Sequence, residues 1–177
     1  MSVAYQGAPG AFGHEACLAF LPGHDPVPKP SFADVVGAVE SGETALGILP
    51  VENNCAGPVS EAQTLIAGSS LPIIAEHELA VRMHLLALPG IALENIRRVV
   101  SHPVALKQCA RALRELGLEL EEASNTAIAA RDLAARDQAV LASEAAARAY
   151  GLAILRRDMQ DRADNATRFV VLARGER

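Results

Sequence analysis

Short apolar runs alternate with alanine-rich amphipathic stretches along most of this chain, and Gly, Pro, Asn or Ser stands at each junction. That rhythm specifies an α/β architecture, in which buried strands are covered by helices that follow them directly. With 34 Ala against four Phe, two Tyr and no Trp, the elements must approach closely through small side chains. The 177 residues, half of them hydrophobic, suffice to bury roughly 70% of the unfolded chain's surface in one domain or two small lobes without disulfides or structural metal.

The pattern predicts a first strand at Val3-Ala4-Tyr5 entering the turn Gly7-Ala8-Pro9-Gly10-Ala11-Phe12-Gly13, then a helix from His14 to Leu21. The stretch holding Pro26, Pro28 and Pro30 reads as a stiff connection. Ser31 caps a second helix that Gly42 ends. Ala45 to Pro50 reads as a buried strand, Ser60 to Ala67 as a short helix, and Ile73 to Leu88 as extended chain crossing between lobes. A strand over Ile96 to Val100 leads through Ser101-His102-Pro103 into one helix from Val104 to Leu116, with Pro103 at its first position. A strand follows at Leu118 to Glu122, then a helix capped by Asn125 or Ser124 and running to Ala135, a strand at Ala139 to Ala142, and a helix from Ser143 to Tyr150. A polar loop, Arg156 to Ala166, returns to a last strand at Arg168-Phe169-Val170-Val171-Leu172.

Sixteen Lys and Arg against 21 Asp and Glu give a net charge of −5. With no long basic run and few aromatic residues, nucleic acid and anionic membrane surfaces are disfavoured as partners. Cys17, Cys55 and Cys109 form no CxxC pair and suit a reducing cytoplasm. The N-terminus lacks a signal-peptide pattern, and Arg82 interrupts the apolar stretch from Leu79 to Leu88, so neither export nor a membrane span is expected. The five His show no HExxH pattern, and Glu76-His77-Glu78 alternates across an extended segment, so no metal site is expected. There is no Gly-x-Ser-x-Gly elbow. The Gly7 to Gly13 turn lacks both the Walker lysine and the dinucleotide spacing, and reads as a tight turn needing positive φ.

Three clusters at strand ends remain: Pro50-Val51-Glu52-Asn53-Asn54, Ser101-His102-Pro103 with Gln108, and Asn165-Ala166-Thr167-Arg168-Phe169. Open α/β sheets place ligands at such ends. Read singly, Glu52 fits a solvated turn acid, Ser101 a helix cap and Arg168 an exposed strand charge.

Taken in order, these clusters resemble the prephenate dehydratase family across essentially the whole chain. Ala4 to Phe12 is similar to its Gly-rich start, Gly47-Ile48-Leu49-Pro50-Val51-Glu52-Asn53 to its Pro-Ile-Glu-Asn-Ser motif, and Ser101-His102-Pro103 with Gln108-Cys109 to its Ser-His-Pro block. Asn125-Thr126-Ala127 and Thr167-Arg168-Phe169 resemble its Ser-Thr-Ala and Thr-Arg-Phe signatures. Ala11, Gly13, Asn54, Val104 and Asn125 depart from the family's usual Thr, Ser, Ser, Gln and Ser. The resemblance implies two α/β lobes like type 2 periplasmic binding proteins with the site in the cleft, one spanning about 1–78 plus 158–177 and the other about 79–157, and a homodimer. Family members usually continue into an ACT domain, and this chain stops eight residues after Phe169, so a catalytic domain without an ACT domain is expected.

The implied reaction converts prephenate to phenylpyruvate, CO2 and water with no metal or redox cofactor. The enzyme must hold a dianion and assist a poor leaving hydroxyl. The resemblance implies Thr167 as donor to that hydroxyl, with Ser101, Gln108 and Glu52 around it. Arg168 is the candidate for a bidentate carboxylate grip, and Phe169, Asn53, Asn54, His102, Asn125 and Thr126 complete the expected substrate contacts. Glu52 would repel a dianion unless it is protonated or acts by orienting Asn53 and neighbouring N–H groups. Alternatives are arogenate dehydratase, whose substrate carries an amine in place of the keto oxygen, and a non-catalytic carboxylate sensor of the same architecture.

Overall fold

A computed structural model describes residues 1–175. In chain order its elements are β1 (Ser2–Gln6), α1 (Phe12–Phe20), β2 (Asp25–Lys29), α2 (Phe32–Ser41), β3 (Leu46–Asn53), β4 (Gly57–Pro58), α3 (Ser60–Gly68) and β5 (Ile73–Ala80). They continue with β6 (His84–Ala87), β7 (Arg98–Ser101), α4 (Pro103–Gln108), α5 (Ala110–Leu116), β8 (Glu119–Glu122), α6 (Thr126–Arg131), β9 (Gln138–Ala142), α7 (Glu144–Tyr150), β10 (Ala153–Arg156) and β11 (Ala166–Ala173). The chain forms two compact units, the first holding Met1–Ala8, Phe12–Ala80 and the segment from Ala166 onward, the second Pro9–Ala11 and Val81–Asn165.

The first unit is a mixed sheet ordered β2-β1-β3-β11-β5, with β4 paired to β3. β1 runs parallel to β2 and β3, whereas β11 runs antiparallel to β3 and β5. Strand alternation sends Val3, Tyr5, Ile48, Phe169 and Val171 to a core shared with Ala16 and Cys17 of α1, and Ala4, Leu49, Val170 and Leu172 to a core shared with Val35 and Val39 of α2. Ser31 caps α2 through a reciprocal box: its Oγ accepts from the Asp34 N–H at 3.1 Å, and the Asp34 carboxylate accepts from the Ser31 N–H at 3.2 Å.

The proline-rich stretch is a strand, not a connection. The Asp25 N–H donates to the Met1 carbonyl at 2.8 Å, and the Gly7 N–H donates to the Lys29 carbonyl at 2.9 Å. Odd positions of β2 thus face β1, and Pro26 and Pro28 turn their missing donors to the outer edge, where nothing is lost.

The second unit is a mixed sheet ordered β10-β6-β9-β7-β8, parallel around β7 and antiparallel around β6. Asn125 and Ser143 cap α6 and α7. Pro9–Ala11 docks on α7: the Ser143 hydroxyl donates to the Gly10 carbonyl at 2.6 Å and the Tyr150 hydroxyl to the Pro9 carbonyl at 2.7 Å. Gly10 sits at φ +86°, and a Cβ there would lie 2.5 Å from Ala146 Cα, so this glycine serves close backbone approach as well as the turn.

Three further features differ from the sequence expectation. The helix over Val104 to Leu116 is broken at Cys109 (φ −114°, ψ 16°). Helix α6 stops at Arg131, beyond which Leu133 turns into the core with Val100 and Val140. β10, a half-buried strand without clear alternation, was absent from the expected pattern. Among the described residues, no helix is long and apolar enough to cross a membrane.

Candidate active site

Thr167 is the second residue of β11, directly opposite Asn53, the last residue of β3. Asn53 Nδ2 donates to Thr167 Oγ1 at 2.9 Å, with both residues at least nine-tenths buried. The Asn53 amide has one orientation because its Oδ1 accepts from the N–H groups of Cys55 and Ala56 at 2.9 and 2.8 Å. Local turn chemistry therefore fixes the nitrogen toward Thr167. Since Thr167 Oγ1 accepts this bond, its own proton points away from Asn53, and the hydroxyl stands as a donor.

Asn54 secures the same corner, its Oδ1 accepting from the Ala166 N–H at 2.9 Å and its N–H donating to the Ala166 carbonyl at 3.1 Å. It is a latch on the strand carrying Thr167. The pairing of β11 with β3 shifts register just beyond, between Arg168 and Phe169, an irregularity of the kind that re-aims side chains near sites.

Arg168 lies opposite Glu52, and its alternation places it on the other face of the sheet from Thr167. Its Nη2 donates to Glu52 at 3.0 Å and its Nη1 to Glu76 of β5 at 3.1 Å. Glu52 first and Glu76 second hold the guanidinium pKa above its ordinary value. The fork expected to grip a substrate carboxylate is here engaged by two carboxylates of its own sheet. Glu52 correspondingly pairs with Arg168. The sequence weighed Glu76 only as a metal ligand; in the sheet Glu78 lies opposite Arg168, and Glu76, two residues away on the same face of β5, makes the ion pair.

Two further expectations change. Phe169 is 1% exposed and packs with Tyr5, Ile48 and Val171, so it is a core residue. Ser101 is fully buried and its hydroxyl donates to the Leu141 carbonyl at 2.8 Å, which ties β7 to β9 and leaves no surface for a bound molecule.

In the second unit, Gln108 ends α4, and its Oε1 accepts from Asn165 Nδ2 at 3.2 Å. Asn165, 2% exposed, anchors the end of the return loop, its carbonyl accepting from the Val81 N–H at 2.8 Å. His102 caps α4, its Nδ1 accepting from the Val104 N–H at 3.2 Å. Asn125 Oδ1 accepts from the Ala127 and Ile128 N–H groups at 2.8 and 3.1 Å, and Thr126 opens α6. Asn53, Asn54 and Thr167 thus come together in the first unit, and Gln108 meets Asn165 in the second. Among the described residues, no group of three His, Cys, Asp or Glu side chains could hold a metal ion.

The prephenate dehydratase family model matches residues 3–177. An Arabidopsis thaliana protein named arogenate dehydratase/prephenate dehydratase 2, chloroplastic, is 43% identical over 175 residues, covering 97% of this chain and 46% of that protein. The chain spans about half the length of the curated plant relatives it matches. A prephenate dehydratase from Arthrobacter aurescens, solved in complex with L-Phe, is 28% identical with a TM-score of 0.91 over all of this chain and 61% of its own. A periplasmic substrate-binding protein of an ABC transporter from Coxiella burnetii, 13% identical, has a TM-score of 0.50 over 98% of this chain and 85% of its own. That likeness is one of fold alone.

Proposed function

The chain belongs to the prephenate dehydratase family, and from that premise we propose that it converts prephenate to phenylpyruvate in aromatic amino-acid biosynthesis. The reaction breaks two bonds at opposite ends of a cyclohexadiene ring. The ring carboxylate leaves as CO2, and the electron pair of its carbon–carbon bond enters the ring. The carbon–oxygen bond across the ring breaks with its own pair, and the departing hydroxyl takes up one proton to become water. Aromatisation drives the process, and the barrier lies in the poor leaving group.

The observation that carries the proposal is the Asn53 to Thr167 hydrogen bond at 2.9 Å. A threonine hydroxyl is too weak an acid to deliver a proton outright. Positioned by Asn53 with its proton not spent on that amide, however, it stabilises negative charge as it develops on the departing oxygen, and solvent supplies the proton that completes water. Asn53 positions this donor and Asn54 holds its strand. Gln108, His102, Asn125 and Thr126 are proposed as polar contacts to the substrate, while Arg168 bridges Glu52 and Glu76 across its own sheet. Free thiols at Cys17, Cys55 and Cys109 fit a reducing compartment.

Arogenate is the second substrate to test, because the Arabidopsis relative carries both activities in its name. Parallel assays with prephenate and arogenate, following phenylpyruvate and phenylalanine, test the reaction and its preference together. Turnover of either compound that collapses in Thr167→Ala supports the proposal. Binding of both without turnover would favour a carboxylate sensor.

A further inference from the structure

The break between α4 and α5 leaves backbone groups that an uninterrupted helix would satisfy internally. In a continuous helix the Arg111 N–H would donate to the Lys107 carbonyl. Instead it donates to the Asp161 carboxylate, at 3.1 Å to Oδ1 and 3.2 Å to Oδ2, from a residue 50 positions along the chain. The Asp161 N–H donates to the Gln108 carbonyl at 2.7 Å, and Arg111 Nη2 donates to the Asp161 carbonyl at 3.3 Å. One residue of the return loop thus fills both sides of the break.

Its neighbour in that loop, Asn165, holds the Gln108 side-chain oxygen at 3.2 Å. Gln108 is consequently gripped twice by the same segment, through its main chain by Asp161 and through its carboxamide by Asn165. Cys109, in the break itself, is fully buried, and its thiol is pushed up to about 12 by burial first and by the negative charge of Asp161 second. It stays neutral, so the break is maintained by hydrogen bonding and not by thiolate chemistry.

We propose that Asp161 is a positioning residue: by holding the α4–α5 break through Arg111 and Gln108, it aims the Gln108 carboxamide at the substrate. The inference rests on the dehydratase function proposed above, in which Gln108 is a substrate contact. A mere helix cap would affect stability without regard to Gln108. A positioning residue acts through Gln108 and loses its effect once that side chain is gone.

The test uses the full chain. Side-chain amide resonances of Gln108 are followed by NMR in wild type, Asp161→Ala and Asp161→Asn, and steady-state kinetics are measured for these and for the Asp161→Ala/Gln108→Ala pair. Asp161→Ala should shift the Gln108 resonances and lower kcat by about tenfold or more, with KM changed by less than about threefold. Asp161→Asn, which keeps an acceptor for the Arg111 N–H, should restore most of both. In the Gln108→Ala background, Asp161→Ala should cost less than about twofold. Unmoved Gln108 resonances, or losses that multiply in the double variant, would overturn the inference. A wild type inactive on prephenate and arogenate would overturn the dehydratase function instead, and the resonances alone would then decide whether Asp161 holds Gln108.

Discussion

Asn53 and Thr167, 114 positions apart in the chain, meet through a buried hydrogen bond in which the amide nitrogen donates to the hydroxyl oxygen at 2.9 Å. The direction of that bond matters more than its length. Asn53 Oδ1 accepts from the Cys55 and Ala56 N–H groups, so Thr167 accepts from Asn53, and its own proton is left to be donated elsewhere.

Asn53→Asp reverses the bond while sparing the turn. The new carboxylate still accepts from the two backbone N–H groups but can no longer donate, so it draws the Thr167 proton inward. Activity should fall at least tenfold with little change in Tm. Asn53→Ala also abolishes the turn contacts and should lose about 1–3 kcal/mol of stability. Thermal melts beside kinetics separate the two, and equal activity in Asn53→Asp and wild type would contradict the assigned direction.

Glu52 and Glu76 flank Arg168 at the surface, with half of each carboxylate side chain exposed. Exposed pairs contribute little and are screened by salt. Glu52→Gln and Glu76→Gln should leave kcat within about twofold of wild type and lower Tm slightly, by an amount that shrinks as NaCl rises. A large, salt-independent loss of kcat in Glu52→Gln would give that carboxylate a direct part in the chemistry.

Gly10→Ala combines an unfavourable backbone conformation with a clash against Ala146 backbone. Neither is relieved by rotating a side chain. Roughly 2 kcal/mol or more of stability should be lost, read by urea denaturation. Gly23→Ala, also at positive φ but with open space around it, should cost less.

His84 accepts the Asp158 N–H through Nδ1 at 3.1 Å, an arrangement that requires the neutral ring. Burial holds its pKa below the ordinary value. The nearby carboxylates of Asp158 and Glu144 pull it upward, and Arg157 and Arg82 push it down. Because the unfolded chain binds this proton more readily, the contribution is intact above about pH 6.5 and is lost as pH falls from there toward the folded pKa. His14 shifts in the same direction by burial. Tm should therefore decline on acidification from about pH 7.5 to 5.5, and His84→Asn, which keeps an acceptor near Nδ1 without titrating, should flatten the decline. An unchanged slope would remove His84 from the account.

Caps and periodicity made most elements legible in the sequence, because Ser31, Asn125, Ser143 and Gly42 act through bonds to residues within four positions. β2 was missed because prolines argue against a strand unless the edge they face is known. The α4–α5 break was missed because Asp161, which satisfies it, comes from far along the chain. The same limit applies to the site. Motif resemblance singled out Asn53, Thr167 and Gln108, but the direction of the Asn53 bond, the engagement of Arg168 by Glu52 and Glu76, and the burial of Ser101 depend on which face each strand residue takes once β11 lies between β3 and β5 or β7 beside β9.

The most direct measurement is steady-state phenylpyruvate formation from prephenate at neutral pH by wild type, Thr167→Ala and Thr167→Ser, with melting temperatures recorded alongside. The proposed donor role of Thr167 predicts that Thr167→Ala loses roughly 10²–10³ in kcat at nearly unchanged KM, while Thr167→Ser, which keeps the hydroxyl, retains most of the rate. A Thr167→Ala protein that stays folded and turns over prephenate within a few fold of wild type would contradict the account at its centre.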